Sequence, residues 1–367
     1  MNYFNGLTIQ ERVHSFFTQA LNNDHLAHAY LFYGADGRGK TAFALYLAQA
    51  LNCQADENRP CGECPSCTKI KHMSHPDVKY VFPISKAAKE KDLKELYRAK
   101  AGNPYKKLPI SGHLNISIEA IRGLKNEAKY APFEARKRVF IIEGIEHFKR
   151  EAANSFLKLL EEPPDDLMLL LTTSDKNNLL DTIRSRCQPV LFPPYNEAEI
   201  EQIVKRYQTV EAGLNTLARI NDFNIASIFD VLSNPDNSLR EQAVNFLRAA
   251  ATSNFTSINK VVDALATSKD KNKAITFVEQ VSLWLADAFR YHSTNLTDII
   301  INRDMTESIQ KFSAHYGDLP YDKLFRSLEN SAKTLQGNGH IALTLTSLGI
   351  ELAQMFKKHG QTRQTSV

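Results

Sequence analysis

Gly34, Gly37, Gly39, Lys40 and Thr41 stand in "GADGRGKT", a full match to G-x-x-x-x-G-K-[ST]. Glycine admits backbone angles that let successive N–H groups face phosphate oxygens. Lys40 would reach the β- and γ-phosphates of a nucleotide, and the Thr41 hydroxyl would ligate Mg²⁺. The apolar "AYLFY" before the loop reads as a strand, and "AFALYLAQAL" after it as a helix, whose positive end adds to the site. Two other readings stand beside this one: a chance glycine-rich turn, and a phosphate-loop fold that has lost turnover.

Cys53, Cys61, Cys64 and Cys67 form a C-x7-C-x2-C-x2-C set. Four thiolates this close in sequence suit tetrahedral Zn²⁺, with no position left for water, so the site reads as structural. Gly62 and Pro65 supply the tight turns. A redox or free-thiol role is the alternative. Cys187 stands apart and reads as an ordinary buried thiol.

"RVFIIEGIEHF" (138–148) reads as a second strand ending in Glu143, a carboxylate able to hold Mg²⁺ in a phosphate-loop enzyme. The next position is Gly144, which has no side chain to polarise a water. Glu146 is expected to point elsewhere. "NSFLKLLEEPP" (154–164) is a helix stopped by Pro163 and Pro164. "LMLLLTTSD" follows as a strand whose polar end, Thr172 to Ser174, would face the γ-phosphate. Arg186 then sits at a helix end just before another strand. A guanidinium there could stabilise a transferring phosphoryl of a neighbouring subunit, though spacing alone favours a surface arginine in a salt bridge.

The elements that must position these groups are legible as short apolar runs at 30–33, 78–82, 138–142, 167–172 and 189–192. Helical patterns lie between them at 40–51, 118–130, 151–162 and 178–186. Strands alternating with helices imply an α/β domain with a parallel five-stranded sheet covered on both faces. Upstream, "TIQERVHSFFTQALNN" places Thr8 and Glu11 at capping-box spacing and puts Ile9, Val13, Phe16, Phe17, Ala20 and Leu21 on one helical face. The segment about 84–115 breaks the pattern. Eight Lys and Arg against three acids between 86 and 107 read as a basic surface insertion with one short helix. From Glu197 onward the chain reads as all-helical, with a break at "SNPDNS" (233–238). Ile341, Leu345, Leu348 and Leu352 keep helical spacing near the end, and the polar "GQTRQTSV" is expected to be disordered.

The 367 residues are enough for two or three domains. The net charge of +4 is compatible with nucleic acid but no argument for it. No run approaches the length of a membrane span, and the N-terminus shows no secretory pattern. A cytoplasmic protein is expected, so the cysteines call for a metal in place of disulfides.

Taken together, "HAYLFYGADGRGKT", the four-cysteine insert after it, "HPDV" (75–78), "ISIEAIR" (116–122), "NSFLKLLEEPP" and "SRC" (185–187) resemble the bacterial DNA polymerase III clamp-loader subunits, an AAA+ family. The delta-prime type is the nearest. The resemblance is specific over about 1–195 and weak beyond. It implies an AAA+ domain over 1–194, with the zinc insert at 53–67, an all-α lid over 195–236 and an all-α collar over 237–367. It further implies a heteropentamer with delta and tau/gamma subunits that places a sliding clamp on primed DNA. Arg186 of the Ser-Arg-Cys motif would be the arginine finger, acting in trans on a neighbour's ATP. The motor subunits of this family carry Asp-Glu where this chain has Glu143-Gly144. They also carry a sensor arginine on the lid, where "NDFNIASIF" (221–229) has Ile225. A non-hydrolysing subunit that still binds ATP is therefore the expectation. The alternatives are a catalytically active motor of the tau/gamma type and, further off, a small-metabolite kinase.

Overall fold

The computed structural model describes residues 2–85, 90–108, 110, 114–209, 214–233, 238–268, 270–337 and 339–364. The chain forms two compact units, Met1–Asp230 and Val231–Val367.

The first unit is built on five parallel strands, β1 (Ala29–Tyr33), β2 (Val78–Val81), β5 (Arg138–Ile142), β6 (Leu167–Thr173) and β7 (Gln188–Leu191). Their order across the sheet is β2-β5-β6-β1-β7. A separate antiparallel pair, β3 (Ile84–Ser85) with β4 (Leu114–Asn115), brackets the inserted segment. The central strands are near-continuous apolar runs because both faces are covered. Period-two alternation sorts the side chains of β1. Leu31 joins Phe140, Ile142, Leu169, Leu171 and Phe156 on one face. On the other, Phe32 packs against Phe17, Phe43 and Phe192, with ring centroids 5.0–5.8 Å apart.

The helices of this unit are α1 (Glu11–Asn22), α2 (Lys40–Asn52), α3 (Pro65–Lys71), α4 (Glu90–Gly102), α5 (Ile118–Glu127), α6 (Arg150–Glu161), α7 (Asp181–Arg184), α8 (Glu197–Tyr207), α9 (Leu214–Ile220) and α10 (Ile225–Ser233). Nearly every residue of α2 is buried, so it shows no polar stripe.

Several boundaries differ from the sequence reading. The Thr8–Glu11 box does not form: α1 starts after Gln10, whose side chain makes no capping bond, and the Thr8 hydroxyl donates to Gln202 Oε1 (3.1 Å). Its buried stripe narrows to Val13 and Phe17, and Phe16 is exposed. Helix α5 stops three residues early because Arg138 collects the Glu127, Tyr130 and Ala131 carbonyls. The 178–186 pattern resolves into a 3-10 turn, Lys176–Asn178, and the single turn α7.

The inserted segment departs furthest. Its helix α4 has 13 residues, and Leu96, Lys100, Asn103 and Tyr105 are buried. A surface insertion was the expectation, and only its outer charged face meets it; Lys86 and Lys89 lie outside the described residues.

The second unit is a helical bundle of α11 (Ser238–Ala251), α12 (Phe255–Thr267), α13 (Lys271–Thr294), α14 (Thr306–Tyr316), α15 (Tyr321–Gln336) and α16 (Ile341–Gln364). Leu345, Leu348 and Leu352 enter a core with Phe246, Phe277, Leu285 and Leu324, as their spacing requires. Buried Asp287 accepts from Ile301 N–H (3.0 Å), Asn302 N–H (2.8 Å) and Asn302 Nδ2 (2.7 Å), tying the 295–305 connection to α13. The break at 233–238 falls where α10 ends and α11 begins, and 234–237 lie outside the described residues. The terminal stretch stays helical to Gln364 where disorder was expected; 365–367 also lie outside the described residues. Among the described residues, no helix is long and apolar enough to cross a membrane.

Candidate nucleotide site and metal cluster

The carboxyl ends of β1, β5 and β6 meet at one edge of the sheet, where an open α/β sheet binds ligands. The loop after β1 carries left-handed backbone at Gly37 (φ 71°) and Gly39 (φ 75°), angles open to glycine at no steric cost. Lys40 is buried at the start of α2, and its Nζ donates to the Gly34 (2.6 Å) and Ala35 (2.7 Å) carbonyls. Burial lowers its pKa, against the raising charges of Asp36, Glu146 and Glu143. Phosphate oxygens arriving here would replace those carbonyls as acceptors.

The loop is also closely covered. A Cβ on Gly37 would run into the Asn224 side chain, and one on Gly39 into the Tyr195 hydroxyl. Ile225, at the first position of α10, donates its N–H to Gly37 O (3.1 Å). Arg38 Nη1 donates to Asp222 O (2.9 Å), and its Nη2 pairs with the Asp222 carboxylate at 2.9 Å. The 221–229 segment therefore reaches the phosphate loop, with the buried Ile225 side chain beside it. Gln10 Nε2 adds bonds to Arg38 O (2.9 Å) and Pro193 O (3.1 Å).

Glu143 directly follows β5, as the sequence requires. Its Oε2 accepts from the Tyr80 hydroxyl and lies 3.6 Å from Lys100 Nζ. Burial raises its pKa, but the Lys100 charge and the Tyr80 hydroxyl outweigh that and lower it. The loop thus fits a phosphate, whereas the carboxylate expected to face Mg²⁺ already has a cation. Lys100 and Tyr80 were missed in the sequence; a lysine in a charged run carries no local sign of burial.

Gly144 has φ 67°, with its N–H on Thr172 Oγ1 (3.2 Å). A side chain here would need the strained left-handed conformation. Glu146 does not point away from the site as expected. Its Oε1 accepts from Ser174 N–H (3.1 Å) and Oγ (2.7 Å) at the polar end of β6.

Arg186 lies in the turn between α7 and β7, half-buried. Its Nη2 pairs with Glu161 Oε1 (2.8 Å) at the end of α6, and its Nη1 donates to Thr182 O (2.9 Å).

Cys53, Cys61, Cys64 and Cys67 converge, their sulfurs all within 4.8 Å of one another. A tetrahedral ion with bonds of about 2.3 Å would separate them by about 3.8 Å, so this cluster can hold a metal ion. Gly62 (φ 78°) makes one turn, and Pro65 opens α3 at its first position. Backbone N–H groups aim at the sulfurs: Cys61 to Cys53 (3.4 Å), Cys64 to Cys61 (3.3 Å) and Cys67 to Cys64 (3.4 Å). Burial alone would raise the Cys61 thiol, yet the Cys64 and Glu63 N–H groups bring it down to about 7. Cys187 is buried and pushed up to about 12 by that burial, as an inert thiol should be.

The "HPDV" stretch gains a structural role. Asp77 accepts from the Phe133, Glu134 and Ala135 N–H groups (2.8, 2.8 and 3.0 Å) and pairs with Arg138 (3.0 Å). It fixes the loop leading into β5.

Residues 9–196, just over half of the chain, match the family model described as DNA polymerase III, delta subunit. The chain belongs to that family. DNA polymerase III subunit delta' of Bacillus subtilis is 34% identical over 193 residues, 53% of this chain and 50% of that protein. DNA polymerase III subunit tau of the same organism is 29% identical over 250 residues, 66% of this chain and 38% of that protein. The chain thus spans half or less of the length of these curated relatives. A solved DNA polymerase III gamma subunit-related protein from Thermotoga maritima covers 93% of this chain and 99% of its own at 15% identity and TM-score 0.48. In this delta-subunit family member, the matched region holds the whole sheet, the phosphate loop and the cysteine cluster.

Proposed function

We propose that this chain is a delta-prime-type clamp-loader subunit of a DNA polymerase III holoenzyme. It binds ATP without hydrolysing it and supplies Arg186 in trans to a neighbouring ATPase subunit. In this reading 1–194 is the AAA+ domain, 195–236 the lid and 237–367 the collar that joins a heteropentamer with delta and tau/gamma subunits. The assembly loads a sliding clamp onto primed DNA in the cytoplasm, where thiols stay reduced, and the four cysteines hold one structural Zn²⁺.

The observation that carries the non-hydrolysing part is Gly144. Glycine here has no side chain to act as a base beside Glu143, and its left-handed backbone (φ 67°) would strain one. Arg186 is held by Glu161, an exposed partner it can exchange for a phosphate. The test is a reconstituted complex. Arg186→Ala should lower its ATPase by about 10³-fold without preventing assembly. Unchanged ATPase would refute the finger assignment.

One observation favours the motor-type reading. Glu146 bonds Ser174 at the strand end expected to face a γ-phosphate. If Glu146 is a displaced base, the isolated chain turns over ATP, and both Glu146→Gln and Lys40→Ala abolish turnover. No hydrolysis by the isolated chain removes that reading.

A further inference from the structure

Lys100 lies in the segment between β3 and β4, and the phosphate-loop pattern does not ask for it. It is 3% exposed at the end of α4, with Nζ on Lys106 O (3.0 Å) and 3.6 Å from Glu143 Oε2. An ammonium is buried only where a partner compensates it, and Glu143 is that partner.

The segment is pinned on either side of this contact. The Tyr97 hydroxyl donates to Tyr80 O (2.9 Å), and its ring meets Phe82 edge-on at 5.2 Å. Tyr105 is buried against Tyr207 (5.8 Å), Phe229 (6.4 Å) and Tyr195 (6.5 Å). Tyr195 also covers Gly39, so the insertion, the phosphate loop and the segment after β7 share one packed cluster.

In a hydrolysing phosphate-loop site, the strand-end carboxylate and the loop hydroxyl flank Mg²⁺. Here the strand-end carboxylate, Glu143, already faces an ammonium: Lys100 Nζ lies 3.6 Å from its Oε2. A divalent ion at that carboxylate would sit beside a buried positive charge it repels.

We propose that Lys100 is the resident cation of this nucleotide site. It stands in the place of Mg²⁺, so that a nucleoside di- or triphosphate held by Gly34–Thr41 binds without a divalent metal. This rests on the ATP-binding part of the preceding reading and is independent of Arg186.

The experiment titrates a fluorescent ATP analogue into the full chain, in Mg²⁺ and in EDTA. Wild type and Lys100→Arg should each show Kd values within about twofold across the two buffers. Lys100→Met keeps the aliphatic stem and should bind at least about tenfold tighter in Mg²⁺ than in EDTA. A wild-type affinity that requires Mg²⁺, or a Lys100→Met chain indifferent to it, overturns the inference.

A second measurement decides the case in which no chain binds nucleotide, a result that refutes the ATP-binding reading itself. Mn²⁺ added alone is followed by electron paramagnetic resonance. Lys100→Met should gain a bound ion that the wild type lacks and that Glu143→Gln removes from the double variant. Equal Mn²⁺ binding by wild type and Lys100→Met overturns the assignment of Lys100.

Discussion

The cysteine cluster and the phosphate loop are both complete as sequence motifs, yet they differ in what completes them as structures. The cluster closes on itself. Its four sulfurs come from residues 53–67, and the N–H groups that face them belong to the same stretch. The phosphate loop has its glycines and its lysine in order, but its neighbours come from four distant places. Asn224 and Tyr195 cover its glycines, Glu143 comes from the end of β5, and Lys100 compensates Glu143. A motif whose ligands are local carries its own geometry. One whose chemistry needs a second strand and an insertion can be whole in sequence and altered in function.

The largest expected effect tests the self-contained side. Cys64→Ser, or removal of metal by a chelator, should release about one ion per chain and lower the melting temperature by roughly 10 °C. Elemental analysis and a thermal melt check both. A melt unchanged by metal loss would end the claim that the cluster is structural.

Next comes the frame beneath both sites. Arg138→Met leaves Asp77 buried without its cation and should cost about 3–5 kcal/mol in urea unfolding. A loss under about 1 kcal/mol would show that the N–H groups alone satisfy Asp77.

Acid probes the same carboxylate more gently. Burial would raise the Asp77 pKa, but the N–H groups of Glu134 and Phe133, with Arg138, hold it at about 2, below its ordinary 3.8. A depressed pKa stabilises the fold above the unfolded value, and that stability is lost as pH falls. About 2 kcal/mol should therefore disappear between about pH 4 and pH 2. Asp77→Asn should flatten that part of the stability–pH curve.

The fourth test bears on the distant cover of the loop. Gly37→Ala meets both a positive φ and the Asn224 side chain, and should cost about 1–2 kcal/mol. Asn224→Ala should recover part of that loss; strict additivity would separate the two residues. The smallest effect belongs to Arg186. Its pair with Glu161 is half-exposed, so Arg186→Ala should change the stability of the isolated chain by less than about 1 kcal/mol. A larger loss would mean the arginine serves the fold of its own subunit.

What was legible in the sequence followed from periodicity and burial on both faces. Each of the five apolar runs became a strand of the parallel sheet; the central β1, β5 and β6 are covered on both faces and have no polar side to obscure them, while the edge strand β7 exposes Leu191. Boundaries failed where a side chain from elsewhere intervened. Arg138 ends α5 by taking its last carbonyls, and Gln202 draws the Thr8 hydroxyl away from α1. The insertion was misjudged because its charge was counted as solvation. Between 86 and 107, Leu93, Leu96, Tyr97 and Tyr105 are its only long apolar side chains, but nothing local marks Lys100 as the lysine turned inward.

By itself the sequence determined the sheet, the cysteine site, the glycine angles of the phosphate loop and the missing side chain after Glu143. All of these depend on residue type and short spacing. Only the tertiary structure decided which charge meets Glu143, what covers Gly37 and Gly39, and that Glu146 turns back to Ser174. Those outcomes depend on which distant groups share a low-dielectric space. There, an ion without a partner is too costly to persist.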